Sequence, residues 1–529
     1  MTAGCVGAAC TSDSAWCGSR MAWSDTFDLG EWLPDQPDLS GPALRNANNV
    51  IPRSRGYDVW PSTVQANLGS LDAFCRGAFS SRTSSGVDFV VAGTTTKLWL
   101  AILLAFQDVT RAVGGAYGTN ENWRFAIFGD TIIATNYVDP PQQFTIGTST
   151  NFALLNPDAP LAKHCAVVRE FLVLGNIVGQ GASAAVYGTE ENAVHWGAQG
   201  DPAGWPVPGT SAATAVLSDW QPLIDSGGEV TSLVGGLDYG LVFKKRSIHR
   251  MDFEGGSTFF RFTQIDANRG AHVPGSAIKV GGITYFISED GVYATDGSGP
   301  ATPIGSERVD RWLFAAMNFA KLDRVAPFYH PTLPLVGWFF MSKIAANDIM
   351  DTALIYNTQV NRFAYISQNV EWATPTIISG ISMDSAPYAT ADMDSATPLL
   401  GTTDLDTLVG ANNRVLGVFD STHTLFGVAG PPVGGTIETY DFELTPGRVS
   451  NLRALRPYYK RAGTSITAQI RGHMQSGQTG TPTTAVLVGA DGKFNIRTSN
   501  RFMSAILNLV GDYGEVHGLA ADVEAMGQR

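Results

Sequence analysis

Charge is what this chain has least of: Asp, Glu, Lys and Arg together make up 16% of 529 residues, well under the usual quarter. With 44% apolar residues and 10% aromatics, so sparse a charge excludes a solvated, disordered chain and predicts a sizeable buried core. Long apolar runs are missing too. The longest, residues 98–106, falls far short of the ~20 residues a membrane-crossing helix needs, so no membrane anchoring is expected. Thr2-Ala3-Gly4-Cys5 has the outline of a lipoprotein cleavage box, but neither a charged nor an apolar stretch precedes it. We expect a soluble chain.

Cysteine is scarce and odd in number: Cys5, Cys10, Cys17, Cys75 and Cys165. None forms a paired C-x-x-C, which removes the common zinc patterns, and an odd total does not suit a secreted disulfide framework. Free thiols and synthesis in a cytosol are the expectation. The eight histidines are scattered, with no H-x-x-x-H spacing. There is no Walker A sequence and no G-x-S-x-G elbow. The sequence therefore predicts no metal, no cofactor and no catalytic residues, and the chain reads as a protein that is not an enzyme.

A basic excess is absent as well. Lys and Arg number 35 against 48 Asp and Glu, a formal net charge of −13, whereas a protein that grips phosphate backbone carries the opposite balance. The asymmetry along the chain is sharp. Residues 431–529 hold ten Lys/Arg and eight Asp/Glu, so the acid excess lies in the first 430. Residues 363–413 contain Glu371, Asp384, Asp392, Asp394, Asp404 and Asp406 with no Lys or Arg. Residues 444–490 contain Arg448, Arg453, Arg456, Lys460, Arg461 and Arg471 with no Asp or Glu.

What is present in quantity is turn chemistry: 58 Gly and 27 Pro. Short β-branched or aromatic runs alternate with two-residue turns. Residues 123–128 and 131–134 flank Gly129-Asp130, residues 171–174 and 177–178 flank Gly175-Asn176, and residues 277–280 and 283–287 flank Gly281-Gly282. Asp290-Gly291 opens the next run. Such dipeptides tolerate the positive φ of tight hairpins, and meanders repeated over several hundred residues fit a propeller or a sandwich. At roughly 40–50 residues per blade, residues 85–430 hold six or seven blades. Helical periodicity is rare; residues 307–318, with Val309, Trp312, Leu313 and Met317 in step, predict one helix inserted between strands.

The expected layout is an N-terminal extension over 1–26, a platform piece over 27–84, the propeller over 85–430, and the rest of the platform over 431–529. Ser288-Glu-Asp-Gly-Val-Tyr293 has the turn of the Asp box of propeller sialidases. Trp196 and Trp205 bracket Gly200-Asp201-Pro202, either as a sugar platform or as packing anchors.

Taken in order, several stretches resemble the tail nozzle, or tail hub, proteins of short-tailed bacteriophages, including packaged-DNA stabilisation proteins. They include Trp32-Leu-Pro-Asp-Gln-Pro-Asp-Leu39, Asn49-Val-Ile-Pro52, Val91-Ala-Gly-Thr-Thr-Thr-Lys-Leu98 and Trp123-Arg-Phe-Ala-Ile-Phe-Gly-Asp130. Val194-His-Trp196, Gly200-Asp-Pro-Ala-Gly-Trp205, Asn268-Arg-Gly-Ala271, Gly291-Val-Tyr293 and Pro303-Ile-Gly305 continue the series, and Ile496-Arg497, Arg501-Phe502 and Glu524 end it. The resemblance runs from about Phe27 onwards and leaves out the extension with Cys5, Cys10 and Cys17. It implies a mainly β protein, with a β-propeller-like domain and a β-sandwich-like platform formed by both chain ends. It also implies a homohexameric ring in the virion tail, made in the bacterial host cytoplasm. Its partners would be the head-to-tail adaptor ring and tail spikes, fibres or a needle, with double-stranded DNA in transit but not specifically bound. On that reading the acidic set from Glu371 to Asp406 lines the lumen, and the basic set from Arg448 to Arg471 meets a partner ring or a subunit interface. A carbohydrate-binding or carbohydrate-cleaving propeller of the tail is the alternative.

Overall fold

Alternating short strands and tight turns give sheets of four strands, each strand pairing with the next in sequence. A computed structural model describes residues 24–525 apart from 38–40, 103–104, 119, 257, 379–412, 461–464, 476–477, 479 and 512. The chain is almost wholly β, and seven four-stranded antiparallel units follow one another. Their first strands are Gly77–Arg82, Arg124–Phe128, Leu161–Val168, Val230–Val234, Ile278–Val280, Val325–Tyr329 and Trp372–Ile378. These line a common axial cavity, which makes the units blades 1 to 7 of a propeller. Apolar clusters fill the wedges between blades; one joins Val91 and Leu100 of blade 1 to Trp123, Ile132 and Phe144 of blade 2. Here Gly93 is required for space, since a Cβ would lie 2.3 Å from the Trp123 ring.

Blade 7 is completed out of sequence. Its strands Trp372–Ile378, Asn413–Phe419 and Thr424–Pro432 receive Pro61–Ser70 as their outer member, with Gly427 opposite Val64 and Thr424 opposite Ser70. The ring is thus closed by a strand from near the start of the described chain. The propeller boundary expected at residue 85 is therefore corrected: Pro61–Ser70 and Gly77–Arg82 both belong to the propeller. The hydrophobic pattern could not show this, because a strand borrowed by a distant blade looks like any other.

Both ends of the described chain build the platform. One sheet contains Val50–Pro52, Tyr57–Val59, Val516–Ala525, Ser450–Tyr459 and Thr498–Asn500, with Ser24–Asp28 also paired to Val516–Ala525. The other is continuous with blade 6. Its outer strand Arg362–Val370 meets Leu44–Asn48, and Gly435–Thr439, Phe502–Leu509, Thr467–His473 and Val486–Leu487 extend a nine-stranded sheet. Leu455, Leu519, Ile470 and Leu507 lie in the core shared by the two sheets.

The predicted helix is present as Asp310–Ala316, between blades 5 and 6. It joins propeller to platform. Trp312 meets Trp32 edge to face at 4.8 Å, Asp35 accepts the Arg311 and Trp312 N–H groups, and Arg308 pairs with Glu31. The hairpins at 129–130 and 281–282 form as expected, with Gly129 and Gly281 at positive φ. Gly175-Asn176 does not turn the chain. It is a bulge inside the continuous strand Phe171–Val178, with Asn176 at φ 57 and its amide bonded to the Val230 carbonyl. Positive φ serves a bulge as readily as a turn.

Candidate functional site

Two features stand out: the axial cavity of the propeller and the outer face of the platform. The cavity encloses about 480 Å³. Its wall is made of residues from the first strands of all seven blades, largely apolar, with Arg124, Lys279 and His164 among them and no Asp or Glu. Carboxylates gather at the mouth where these strands begin: Glu121, Glu229 and Asp323, beside Lys163. Lys163 approaches Glu229 at 3.7 Å and lies over the Tyr137 ring. Lys279 sits just before the Gly281-Gly282 turn, at the opposite end.

Arg124 opens the inner strand of blade 2. Its guanidinium carbon lies 5.5 Å from the centre of the Trp372 ring, and its Nη2 packs so closely on Gly275 that a Cβ there would be 1.8 Å away. Burial lowers its pKa to about 10. His164 is buried in the same wall, and burial together with the charges of Arg124 and Lys163 holds its pKa well below the ordinary value.

The basic residues expected to share a partner surface are divided between two sheets. Ser450–Tyr459 carries Arg453 and Arg456 outward with Tyr458, a bulge between Leu452 and Ala454 setting the alternation. Arg448 and Lys460 are exposed at its two ends, Lys460 paired with Glu515. Arg471 belongs to the other sheet and is only half exposed. It reaches Glu438 at 3.2 Å, and Arg45 shares Glu438 and Asp441 at 3.5 Å each. His473, stacked on Phe502, reaches Asp441 at 3.0 Å. Arg471 thus serves an internal ion cluster and leaves the expected surface. Arg461 lies outside the described residues.

The acidic set fares differently. Glu371 is buried, 1% exposed at its side chain, between the Cys75 N–H at 2.9 Å and His423 Nδ1 at 2.7 Å. It cannot line a lumen, and its assignment is corrected to a seam between blades 7 and 1. Asp384, Asp392, Asp394, Asp404 and Asp406 lie outside the described residues, in the segment joining the first two strands of blade 7. So do Cys5, Cys10 and Cys17.

Other constellations prove structural. Trp196 and Trp205 are buried at 3% and 2% exposure, their indole N–H groups donating to Leu217 and Pro202 carbonyls; they are packing anchors. Asp290 pairs with Arg269 at 2.9 Å and accepts the Tyr293 hydroxyl, bracing the turn. In blade 4, Asp225 gathers Lys244, Ser247, His249 and Gln264. Ser247 and His249 both bond the same carboxylate oxygen, so the imidazole does not stand between hydroxyl and acid as a nucleophilic relay requires. Sequence spacing gave no sign of this knot, since its members come from three strands and two loops. Among the described residues no three His, Cys, Asp or Glu side chains cluster to hold a metal ion, and no helix is long and apolar enough to cross a membrane.

The architecture defines a class: a seven-bladed β-propeller closed by an N-terminal strand and joined to a β-sandwich. No family model and no curated protein matches this chain. Among solved structures, it is similar to a chain of the mitotic checkpoint complex at 10% identity, over 72% of this chain and 97% of that one, with a TM-score of 0.36. A computationally designed protein matches at 9% identity over 69% and 98%, TM-score 0.34. An exo-β-1,3-galactanase from Phanerochaete chrysosporium matches at 10% over 90% and 100%, TM-score 0.25. At these scores the likenesses add nothing to the fold read from the sheets.

Proposed function

We propose that this chain is a structural protein of a short-tailed phage virion, the ring-forming nozzle of the tail, with no catalytic role. One observation carries the reading beyond the sequence resemblance: both ends of the described chain close into one sandwich whose larger sheet is continuous with blade 6. Such a subunit has no hinge at the blade 6 junction and a ring of blades closed by a strand from the other end of the chain, which suits a ring that bears the pressure of packaged DNA. The outward row of Arg453, Arg456 and Tyr458 offers a surface for an acidic neighbour, either the next subunit or the adaptor ring. The acid excess of the first 430 residues fits DNA passing without adhesion, because like charge keeps phosphate from settling on the wall.

Symmetry-resolved imaging of intact particles, with this chain localised by a specific antibody, tests the reading. Six copies in a ring at the tail are expected. Absence from the particle, or a single copy in it, overturns the proposal. Release of sugars from host polysaccharide by the purified chain would favour a carbohydrate-cleaving propeller.

A further inference from the structure

An unpaired guanidinium inside a protein is expensive. Arginines elsewhere in this fold avoid the cost: Arg111 meets Asp139 at 2.8 Å, Arg324 donates to Asn122 at 3.0 Å and to the Glu371 carbonyl at 3.1 Å, and Arg308 meets Glu31. Arg124 does not. Among the described residues it has no hydrogen bond and no ion pair, and its one close partner is the face of Trp372. A ring face attracts a cation but occupies none of the five N–H donors, which line the cavity without a protein acceptor. The group is also held in place, between Trp372 on one side and the Gly275 backbone on another.

The cavity wall itself carries no carboxylate, although Glu121, Glu229 and Asp323 line the adjoining pocket that Arg124 and His164 also border. Ser232 lines the same cavity with its hydroxyl buried and without a hydrogen-bond partner. His164, held neutral, keeps one N–H to give. Lys279 stands at the mouth away from the carboxylates. Along the axis, the carboxylates stand where the inner strands begin, on the side of Arg124, His164 and Lys163, and Lys279 stands alone at the far end of the wall. About 480 Å³ is ample for a small organic acid.

We propose that the propeller axis is a binding site for a small oxyanion, a carboxylate or phosphate group, taken by the Arg124 guanidinium with Ser232 and His164 as further donors and entering from the Lys279 end. A bidentate contact to a carboxylate or phosphate is what a fixed, planar guanidinium is shaped to make. Gly275 is a positioning residue, because any side chain there displaces the guanidinium. The site is independent of the nozzle reading; it stands or falls on the propeller alone.

The test is calorimetry on the full chain at constant ionic strength, titrating citrate in one arm and inorganic phosphate in the other. Saturable binding of at least one is expected. Citrate alone identifies an organic carboxylate as the ligand class, and phosphate alone a phosphate group. Arg124→Met should weaken binding at least about tenfold, Arg124→Lys should weaken it less because charge remains, and Arg246→Met, on the outer surface, should leave it unchanged. Should Arg124→Met fail to fold, Ser232→Ala provides the second reading, with a loss of about threefold or more. No saturable binding up to about 10 mM, or binding that Arg124→Met and Ser232→Ala both retain in full, overturns the proposal.

Discussion

The carboxylate of Glu371 accepts the backbone N–H of Cys75 at 2.9 Å, so the residue that leads into blade 7 is bonded to the one that leads into blade 1. The same carboxylate takes His423 Nδ1, and its own carbonyl accepts from Arg324. Glu371→Ala leaves a buried N–H without a partner, a loss of about 1–3 kcal/mol. Glu371→Gln keeps an acceptor and should lose less. Urea unfolding of the two variants beside the parent checks the order; equal stability of all three would remove the seam from the account.

Asp310 gives a pH signature. Burial, with Asp35 and Asp290 nearby, raises its pKa from 3.8 to about 6. The folded state therefore holds this proton more tightly than the unfolded one. The contribution is fully present below pH 3.8 and is lost as pH rises through 6, up to about 3 kcal/mol for a shift of two units. Asp310→Asn keeps the acceptor for the Val292 N–H and removes the titration. Its stability relative to the parent should rise between pH 4 and pH 7.5 in paired denaturation curves. A difference that does not change with pH would contradict the assignment.

The two described cysteines should be slow to react. Cys75 is fully buried, which pushes its thiol far up, and Cys165, on the channel wall, is pushed up to about 12. Both are free. Since the thiolate is the reactive form, native protein treated with iodoacetamide near pH 8 should leave both unmodified, and urea should expose both. Peptide mass analysis reads this directly; fast labelling of Cys75 in native protein would place it wrongly.

Charge reversal separates assembly from folding on the platform face. Arg456 points outward from Ser450–Tyr459, so Arg456→Glu should change unfolding free energy by no more than about 0.5 kcal/mol. If this face meets an acidic neighbour, the variant should be depleted from purified particles while its thermal midpoint is kept. Particles that incorporate it normally would remove Arg456 from the interface.

The hairpins were legible because a turn is local: Gly129 and Gly281 each carry their own positive φ and reverse the chain between strands that follow in order. The helix at Asp310–Ala316 was legible for the same reason, its buried positions Val309, Leu313 and Met317 repeating in step. Long-range partners were not. Nothing in the run Pro61–Ser70 announces that it pairs with Thr424–Pro432, and nothing in a count of acids tells a buried Glu371 from a solvated one. The charge blocks misled in a similar way. Arg453 and Arg471 are neighbours in a tally but stand on different sheets, one facing outward and one engaged with Glu438. Arg124 is not legible in the sequence, because a lone arginine in an apolar strand has meaning only once seven strands surround it.

The late closure of blade 7 carries a cost in time. Pro61–Ser70 leaves the ribosome roughly 350 residues before Thr424–Pro432, an interval of about 20–70 s at bacterial and eukaryotic synthesis rates. Throughout it the first strand is a sticky ribbon with its partner not yet made, and each finished blade is one wall of an open ring. The nascent chain therefore passes through a long window in which a neighbouring copy's Thr424–Pro432 could capture the waiting strand, linking two subunits by exchange.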